Sequence, residues 1–303
     1  MRHRYHCPLR WADLDQLGHV NNVRYVDYLQ EARGALFDDL LAAAGVERQE
    51  NEGYVVVRHE VTFLAPMMFG LEPAVVESWV TEVRAVSFTL DHEIFHERPD
   101  GTRAVYLRAR SVLAPFVHHA GEPRRLTDQE RNALAPYAEE AGPRSRPVLV
   151  DVPRDRAERY PVHVRFSDID IYRHVNNVKY FEYFQEARIG VFLKLKDALR
   201  DFPRINVVVA QTDLEYVAPM LLRPEPYDCW SVVSRIGTRS MTIESELVDA
   251  SGDTGRHGVL ARSRVVLVFF DQGAQRSVAP PQGYREAIAE VLGAPLTIPP
   301  AAP

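Results

Sequence analysis

The sequence predicts an α+β protein made of two tandem copies of one domain, each a long helix wrapped by an antiparallel sheet. Three observations carry this. Residues 10–33 and 165–188 repeat one another at an offset of 155 (10 to 165). Each copy continues with an apolar stripe at intervals of three and four. Four runs rich in Val, Thr and aromatics then follow.

Each copy opens on a short alternating run, Tyr5 to Trp11 and Val162 to Phe166, which reads as a strand. A polar, turn-like segment comes next. The helix then spans about Asn22 to Ala44 in the first copy, with Tyr25, Leu29, Ala32, Leu36 and Leu40 on its stripe. Tyr180, Phe184, Ala187, Val191 and Leu195 repeat that stripe in the second. Val23, Val26, Phe37 and Leu41 widen it, so the helix needs apolar cover on most sides. Asn21 and Asn22, like Asn176 and Asn177, are suited to N-capping, and Gly45 to ending the first helix. The strand runs are 53–64, 74–84, 86–96 and 103–117, repeated near 204–217, 227–237, 240–250 and 257–270. Pro-Asp-Gly (99–101) and Ala-Ser-Gly-Asp (250–253) mark turns. Further matches align Pro66 with Pro219 and Ala109-Arg110-Ser111 with Ala261-Arg262-Ser263.

The 303 residues thus divide into an N-terminal domain (1–137), a linker (138–159) and a C-terminal domain (160–303). The linker is charged and punctuated by Pro143, Pro147 and Pro153. The final Pro299 to Pro303 reads as a disordered end. A formal charge of −6 provides no basic face for nucleic acid. No stretch approaches the ~18 apolar residues of a spanning helix, and no apolar run follows the basic N-terminus as in a signal peptide. Cys7 and Cys229 are too few for a disulfide framework and fit reduced thiols in a cytoplasmic protein.

The chemistry concentrates in Asp13-Leu14-Asp15-Gln16-Leu17-Gly18-His19-Val20-Asn21-Asn22 and its twin, Asp168-Ile169-Asp170-Ile171-Tyr172-Arg173-His174-Val175-Asn176-Asn177. A carboxylate beside the unpaired amides of a helix N-terminus offers a base or nucleophile together with oxyanion stabilisation, the two requirements of acyl transfer. Asp15 and Asp170 can fill the first role or simply shape the loop. Asp13 and Asp168 fit turn or capping carboxylates better. His19 and His174 suit hydrogen-bonded scaffolding more than base catalysis. Glu31, Glu186, Arg33 and Arg188 read as structural ionic groups. A metal fits poorly, since one imidazole and two carboxylates lack further spaced ligands. Cys7 has no activating neighbour beyond His6, and there is no nucleophile elbow, P-loop or dinucleotide fingerprint.

The run D-x-D-x-x-G-H-V-N-N-x-x-Y followed by E-A-R resembles the hotdog-fold thioesterases of the 4-hydroxybenzoyl-CoA thioesterase type. His174 to Tyr180, HVNNVKY, also resembles acyl-ACP thioesterases, which carry two hotdog domains per chain. The resemblance implies a covalent pseudo-dimer, with further homo-oligomers left open, and active sites between domains. It implies Asp15 and Asp170 as catalytic carboxylates, the backbone amides of Asn22 and Asn177 as oxyanion donors, and His19 and His174 shaping the loop. The substrate would be an acyl-CoA or acyl-ACP thioester, with no cofactor, since CoA is part of the substrate, and with neither nucleic acid nor membrane as partner. The sequence departs from the acyl-ACP pattern at Leu17 and Tyr172, where that family has Asn, and Arg173 replaces Gly18 in the second copy. An acyl-CoA thioesterase is therefore the leading reading, and a non-catalytic acyl-CoA-binding module or an acyl-ACP thioesterase the alternative. A dehydratase ranks lower. Phe37, Trp79 and Phe181 are candidate tunnel residues, and Arg58, Arg84, Arg235 and Arg239 candidate contacts for CoA phosphates.

Overall fold

The computed structural model describes residues 1–44, 52–118, 120–142, 148–203, 205–251, 258–274 and 276–293. The chain separates into two compact units, Met1–Ser145 and Arg146–Pro303. Gly45, Pro143, Pro147, Gly252, Asp253 and Pro299 to Pro303, all read from sequence as cap, linker, turn or tail, lie outside the described residues.

The first unit runs β1 (His3–Cys7), a 3-10 turn (Trp11–Asp13), α1 (Arg24–Ala44), β2 (Glu52–Phe63), β3 (Ala74–Val83), β4 (Phe88–Glu97), β5 (Arg103–Val117), the short β6 (Glu122–Pro123) and α2 (Asp128–Leu134). Its strands pair antiparallel in the order β1-β3-β4-β5-β2, with β6 on β5. The second runs β7 (Glu158–Val162), a 3-10 turn (Phe166–Asp168), α3 (Lys179–Ala198), β8 (Asn206–Tyr216), β9 (Tyr227–Ile236), β10 (Ser240–Val248), β11 (Val259–Asp271), the short β12 (Arg276–Ser277) and α4 (Tyr284–Leu292). Its order, β7-β9-β10-β11-β8, repeats the first. Both units are hotdog folds.

The stripe works as its spacing predicts. Tyr25, Leu29, Ala32, Leu36 and Leu40 are buried along α1, and Tyr180, Phe184, Ala187, Val191 and Leu195 along α3. At 21 residues, α1 is ~32 Å long. In the second unit Val191 and Leu195 pack with Val233, Ile243, Val265 and Leu267 of the sheet and with Tyr284, Ile288 and Leu292 of α4.

Three sequence expectations need correction. The opening strands end earlier than the alternation suggests, because Trp11–Asp13 and Phe166–Asp168 coil into 3-10 turns closed by Asp13 N–H to Arg10 O and Asp168 N–H to Arg165 O, both 3.0 Å. The helices start at Arg24 and Lys179, and the Asn21 and Asn176 side chains accept from the amides of Val23 and Val178 (3.3 Å each) just before them. Finally, the registers set Arg108 and Arg110 of β5 in the positions of Arg262 and Arg264 of β11. Arg110 faces Asp91 as Arg264 faces Glu244, and Arg108 faces Glu93 as Arg262 faces Glu246. The Ala-Arg-Ser match is thus two residues out of step. Alternating Arg in both strands made the slip invisible to a text alignment, whereas a two-residue step keeps every side chain on its own face.

Candidate active site

The repeated polar loop folds identically in both units. Asp15 N–H donates to His19 O (2.8 Å) and Gly18 N–H to Asp15 O (3.1 Å), and Asp170 N–H and Arg173 N–H donate likewise to His174 O (2.9 Å) and Asp170 O (3.1 Å). The loop is then fastened to the Ala-Pro-Met segment after β2 or β8. Val20 N–H donates to Met67 O and Val175 N–H to Met220 O, both 2.9 Å. The phenol oxygens of the helical Tyr25 and Tyr180 accept from Met67 N–H (3.1 Å) and Met220 N–H (3.0 Å). The repeated Tyr and Pro-Met residues were visible in the sequence. Their joining across about 40 residues was not.

The two carboxylates of each loop divide their tasks. Asp13 is 4% exposed and Asp168 6%. Asp13 Oδ2 accepts from the Tyr28 hydroxyl (2.8 Å) and from Arg10 N–H and Nε–H (3.3 Å each). Asp168 Oδ2 accepts from the Tyr183 hydroxyl (2.7 Å) and Arg165 N–H (2.8 Å). The Asp13 and Asp168 carbonyls accept from the Asn21 and Asn176 amides at 2.8 Å. These residues are the structural anchors that their position suggested.

Asp15 and Asp170 are only half buried. One oxygen, Asp15 Oδ1, accepts from Leu17 N–H (2.8 Å) and His19 N–H (3.2 Å). Asp170 Oδ1 accepts from Tyr172 N–H (2.9 Å) and His174 N–H (3.3 Å). The second oxygen of each takes no donor among the described residues. Such a carboxylate is aimed by its own turn and keeps one oxygen available to a reactant.

His19 and His174 contribute backbone groups to the loop and bridge to Met68 and Leu221. The Asn22 amide takes no acceptor among the described residues. In the second unit the Asn177 carbonyl accepts from the Tyr216 hydroxyl (2.7 Å); the register puts Phe63, which has no hydroxyl, at that place in the first unit. Gly18 takes φ +77°, a left-handed conformation natural to glycine, and Arg173 takes φ +65° at the same turn. An exposed apolar rim flanks each loop, with Trp11 edge-on to Phe69 at 5.5 Å and Met68 in the first unit, and Phe166, Ile171 and Leu221 in the second. The sequence reading did not single out this rim, although Trp11 and Met68 have apolar counterparts in Phe166 and Leu221.

The remaining candidates separate by environment. Burial pushes both thiols up to about 12, leaving Cys7 and Cys229 poor nucleophiles at neutral pH. Trp79 lies under Arg2, whose guanidinium carbon is 3.8 Å from the ring centroid, on the sheet face opposite Ser78. Phe37 packs on Tyr54 at 4.8 Å, and Phe181 is buried. Arg58 and Arg84 are engaged by Glu60 and Glu82, both at 2.9 Å. Arg235 and Arg239 are exposed. Among the described residues no three His, Cys, Asp or Glu side chains gather as a metal site, and no helix is long and apolar enough to cross a membrane.

Comparison with known proteins agrees with this fold. A solved 12:0-ACP thioesterase from Umbellularia californica superposes with a TM-score of 0.66 at 16% identity over 87% of this chain and 92% of its own. An acyl-ACP thioesterase from Bacteroides thetaiotaomicron does so with a TM-score of 0.61 at 18% identity over 88% and 97%. At these identities the likeness is one of fold. In sequence, 85 residues are 34% identical to the uncharacterized protein YsmA of Bacillus subtilis, covering 27% of this chain and about half (54%) of that protein. The family model described as the thioesterase-like superfamily matches residues 9–139 and again 164–290, one match over each polar loop, helix and sheet. The chain belongs to the thioesterase-like superfamily.

Proposed function

We propose that this protein is an acyl-CoA thioesterase in which Asp15, and its counterpart Asp170, act on the thioester carbonyl. Thioester hydrolysis is the chemistry of its family. The observation that supports the carboxylate's role is its half-free state: Oδ1 is held by two backbone amides while Oδ2 is unengaged among the described residues, in both units. A carboxylate so oriented can take a proton from water as the water oxygen bonds to the carbonyl carbon, or attack that carbon itself. The Asn22 amide, free of any acceptor among the described residues, is the donor suited to the developing oxyanion. Collapse of the tetrahedral species then breaks the carbon–sulfur bond. On the water route this gives the acid, and the proton held by the carboxylate passes to the thiolate; on the direct route it leaves an aspartyl anhydride, which water hydrolyses to the acid and the restored carboxylate, supplying the thiol's proton. The apolar rim of Trp11, Met68 and Phe69 gives an acyl chain a surface to approach along.

The fold shared with acyl-ACP thioesterases favours a second reading, in which the thiol carrier is ACP. Leu17 and Tyr172, in place of the Asn of those enzymes, weigh for CoA. The test is thiol release from a panel of aromatic and aliphatic acyl-CoAs and acyl-ACPs by the full chain. Faster turnover of CoA esters, lost in the Asp15→Ala/Asp170→Ala double variant, is expected. Undiminished turnover by that variant removes the carboxylate mechanism. Faster turnover of acyl-ACP selects the second reading, and ligand-induced thermal stabilisation without thiol release would make the protein a binding module.

A further inference from the structure

The helix-facing side of the second sheet holds polar groups for which thioester hydrolysis has no use. In the first unit the equivalent region holds a chain of hydrogen bonds. His59 Nδ1 is 3.0 Å from Ser111 Oγ, Ser111 Oγ is 3.1 Å from His92 Nε2, and His92 Nδ1 is 2.8 Å from Ser78 Oγ. All four residues are buried. Burial pushes His92 down to about 3, and the Arg33 charge of α1 adds to that shift.

The second unit rebuilds the region without imidazoles. Its strand registers put Thr212, Ser245 and Ser231 where the first unit has His59, His92 and Ser78, and Ser263 where it has Ala109. Ser231, Ser245 and Ser263 form one row across three strands, directly beside the row Val233, Ile243 and Val265. That second row packs with Val191 and Leu195 of α3. Arg188, the counterpart of Arg33, precedes Val191 by one turn on the same buried stripe. The start of α3 lies at the Ala261 end of β11, since Tyr216, paired with Ala261, donates to the Asn177 carbonyl, so Arg188 stands on the serine-row side of Val191.

Arg188 is 8% exposed and makes no hydrogen bond or ion pair among the described residues. Thr212 Oγ1 and Ser263 Oγ are buried without a partner among the described residues, and Ser231 and Ser245 bond each other at 2.8 Å. Phe181 and Phe184, standing where the first unit has Val26 and Leu29, add rings but no acceptor. Burial lowers the guanidinium to about 10, so it remains charged at neutral pH. A buried charge is costly unless it is compensated. Water can bond the N–H groups but brings no opposite charge.

We infer that Arg188, Thr212 and the Ser231–Ser245–Ser263 row form a binding site for a small monovalent inorganic anion of the halide class inside the second unit. The guanidinium supplies the charge and the hydroxyls supply the remaining donors. Every ligand of the site lies within one unit, so it stands independently of the catalytic reading.

Thermal unfolding of the full chain in sodium bromide and in sodium gluconate at equal ionic strength tests this, together with anomalous diffraction from bromide-grown crystals. A saturable rise in Tm with bromide alone is expected, with an anomalous peak beside Arg188. Arg188→Met should abolish the bromide-dependent rise. Ser263→Ala, a milder change that serves should Arg188→Met fail to fold, should raise the half-saturating concentration roughly tenfold by removing one donor. Coincident bromide and gluconate curves, an unchanged bromide response in either variant, or water alone beside Arg188 would overturn the site.

Discussion

Asp13 and Asp15 are two residues apart yet meet opposite fates, because the turn between them sends one inward to the helix and leaves the other at the surface. Asp13 is satisfied by Tyr28 from α1, and Asp168 by Tyr183 from α3. Tyr28→Phe or Tyr183→Phe leaves the buried carboxylate short of a donor, and urea denaturation should show a loss of about 1–3 kcal/mol per change. Position 18 and its twin offer a matched pair. A Cβ at Gly18 would meet nothing within 4 Å, so the cost of a side chain there is the left-handed backbone alone. Gly18→Ala should destabilise by roughly 1 kcal/mol. Arg173→Gly, which relieves the same strain but frees the unfolded chain, should stabilise by about 0.5–1 kcal/mol. Paired thermal melts decide both, and opposite signs are the expected result. The sequence exposed the Gly/Arg difference at this position, though its backbone meaning required φ.

The element scale is where text and structure parted. Strand and helix extents were legible to within a few residues, since periodicity reports which face is buried. Register was not, because alternating Arg residues in β5 and β11 look alike when shifted by two. The correct register forms a charged cluster on β8, β10 and β11. Arg264 lies 3.3 Å from Asp213 and 3.5 Å from Glu244, and Ser234 Oγ lies 3.3 Å from the Glu244 carboxylate. Burial pushes Glu244 up to about 7. Arg264 and the Ser234 hydroxyl oppose that shift, and Asp213 adds to it. The folded state thus holds this proton more tightly than the unfolded chain does. Its contribution to stability is complete below pH ~4.5 and is lost as pH rises through about 7, amounting to at most roughly 3 kcal/mol. Glu244→Gln should flatten stability against pH across that window while other transitions persist, as denaturation at a series of pH values would show. An unchanged slope would place the titration elsewhere.

For the molecule as a whole, duplication supplies two loops of one design that have diverged in detail. The first keeps Gly18, Phe63 and an Asn22 amide unengaged among the described residues. The second has Arg173 in a left-handed turn and a Tyr216 hydroxyl on the Asn177 carbonyl. Asp15→Ala should therefore remove the larger share of kcat, Asp170→Ala the smaller, and the pair of changes together ~100-fold or more. Steady-state rates of the three variants check the order, and equal losses from the two single changes would contradict it. Two copies, their helices and the position of the polar loop were set by residue pattern, because burial acts on periodicity and periodicity is written along the chain. Which carboxylate is satisfied, which strand residues face each other, and where Arg188 lies uncompensated were decided only by tertiary structure, because hydrogen bonds and ion pairs depend on partners that folding brings together from distant positions.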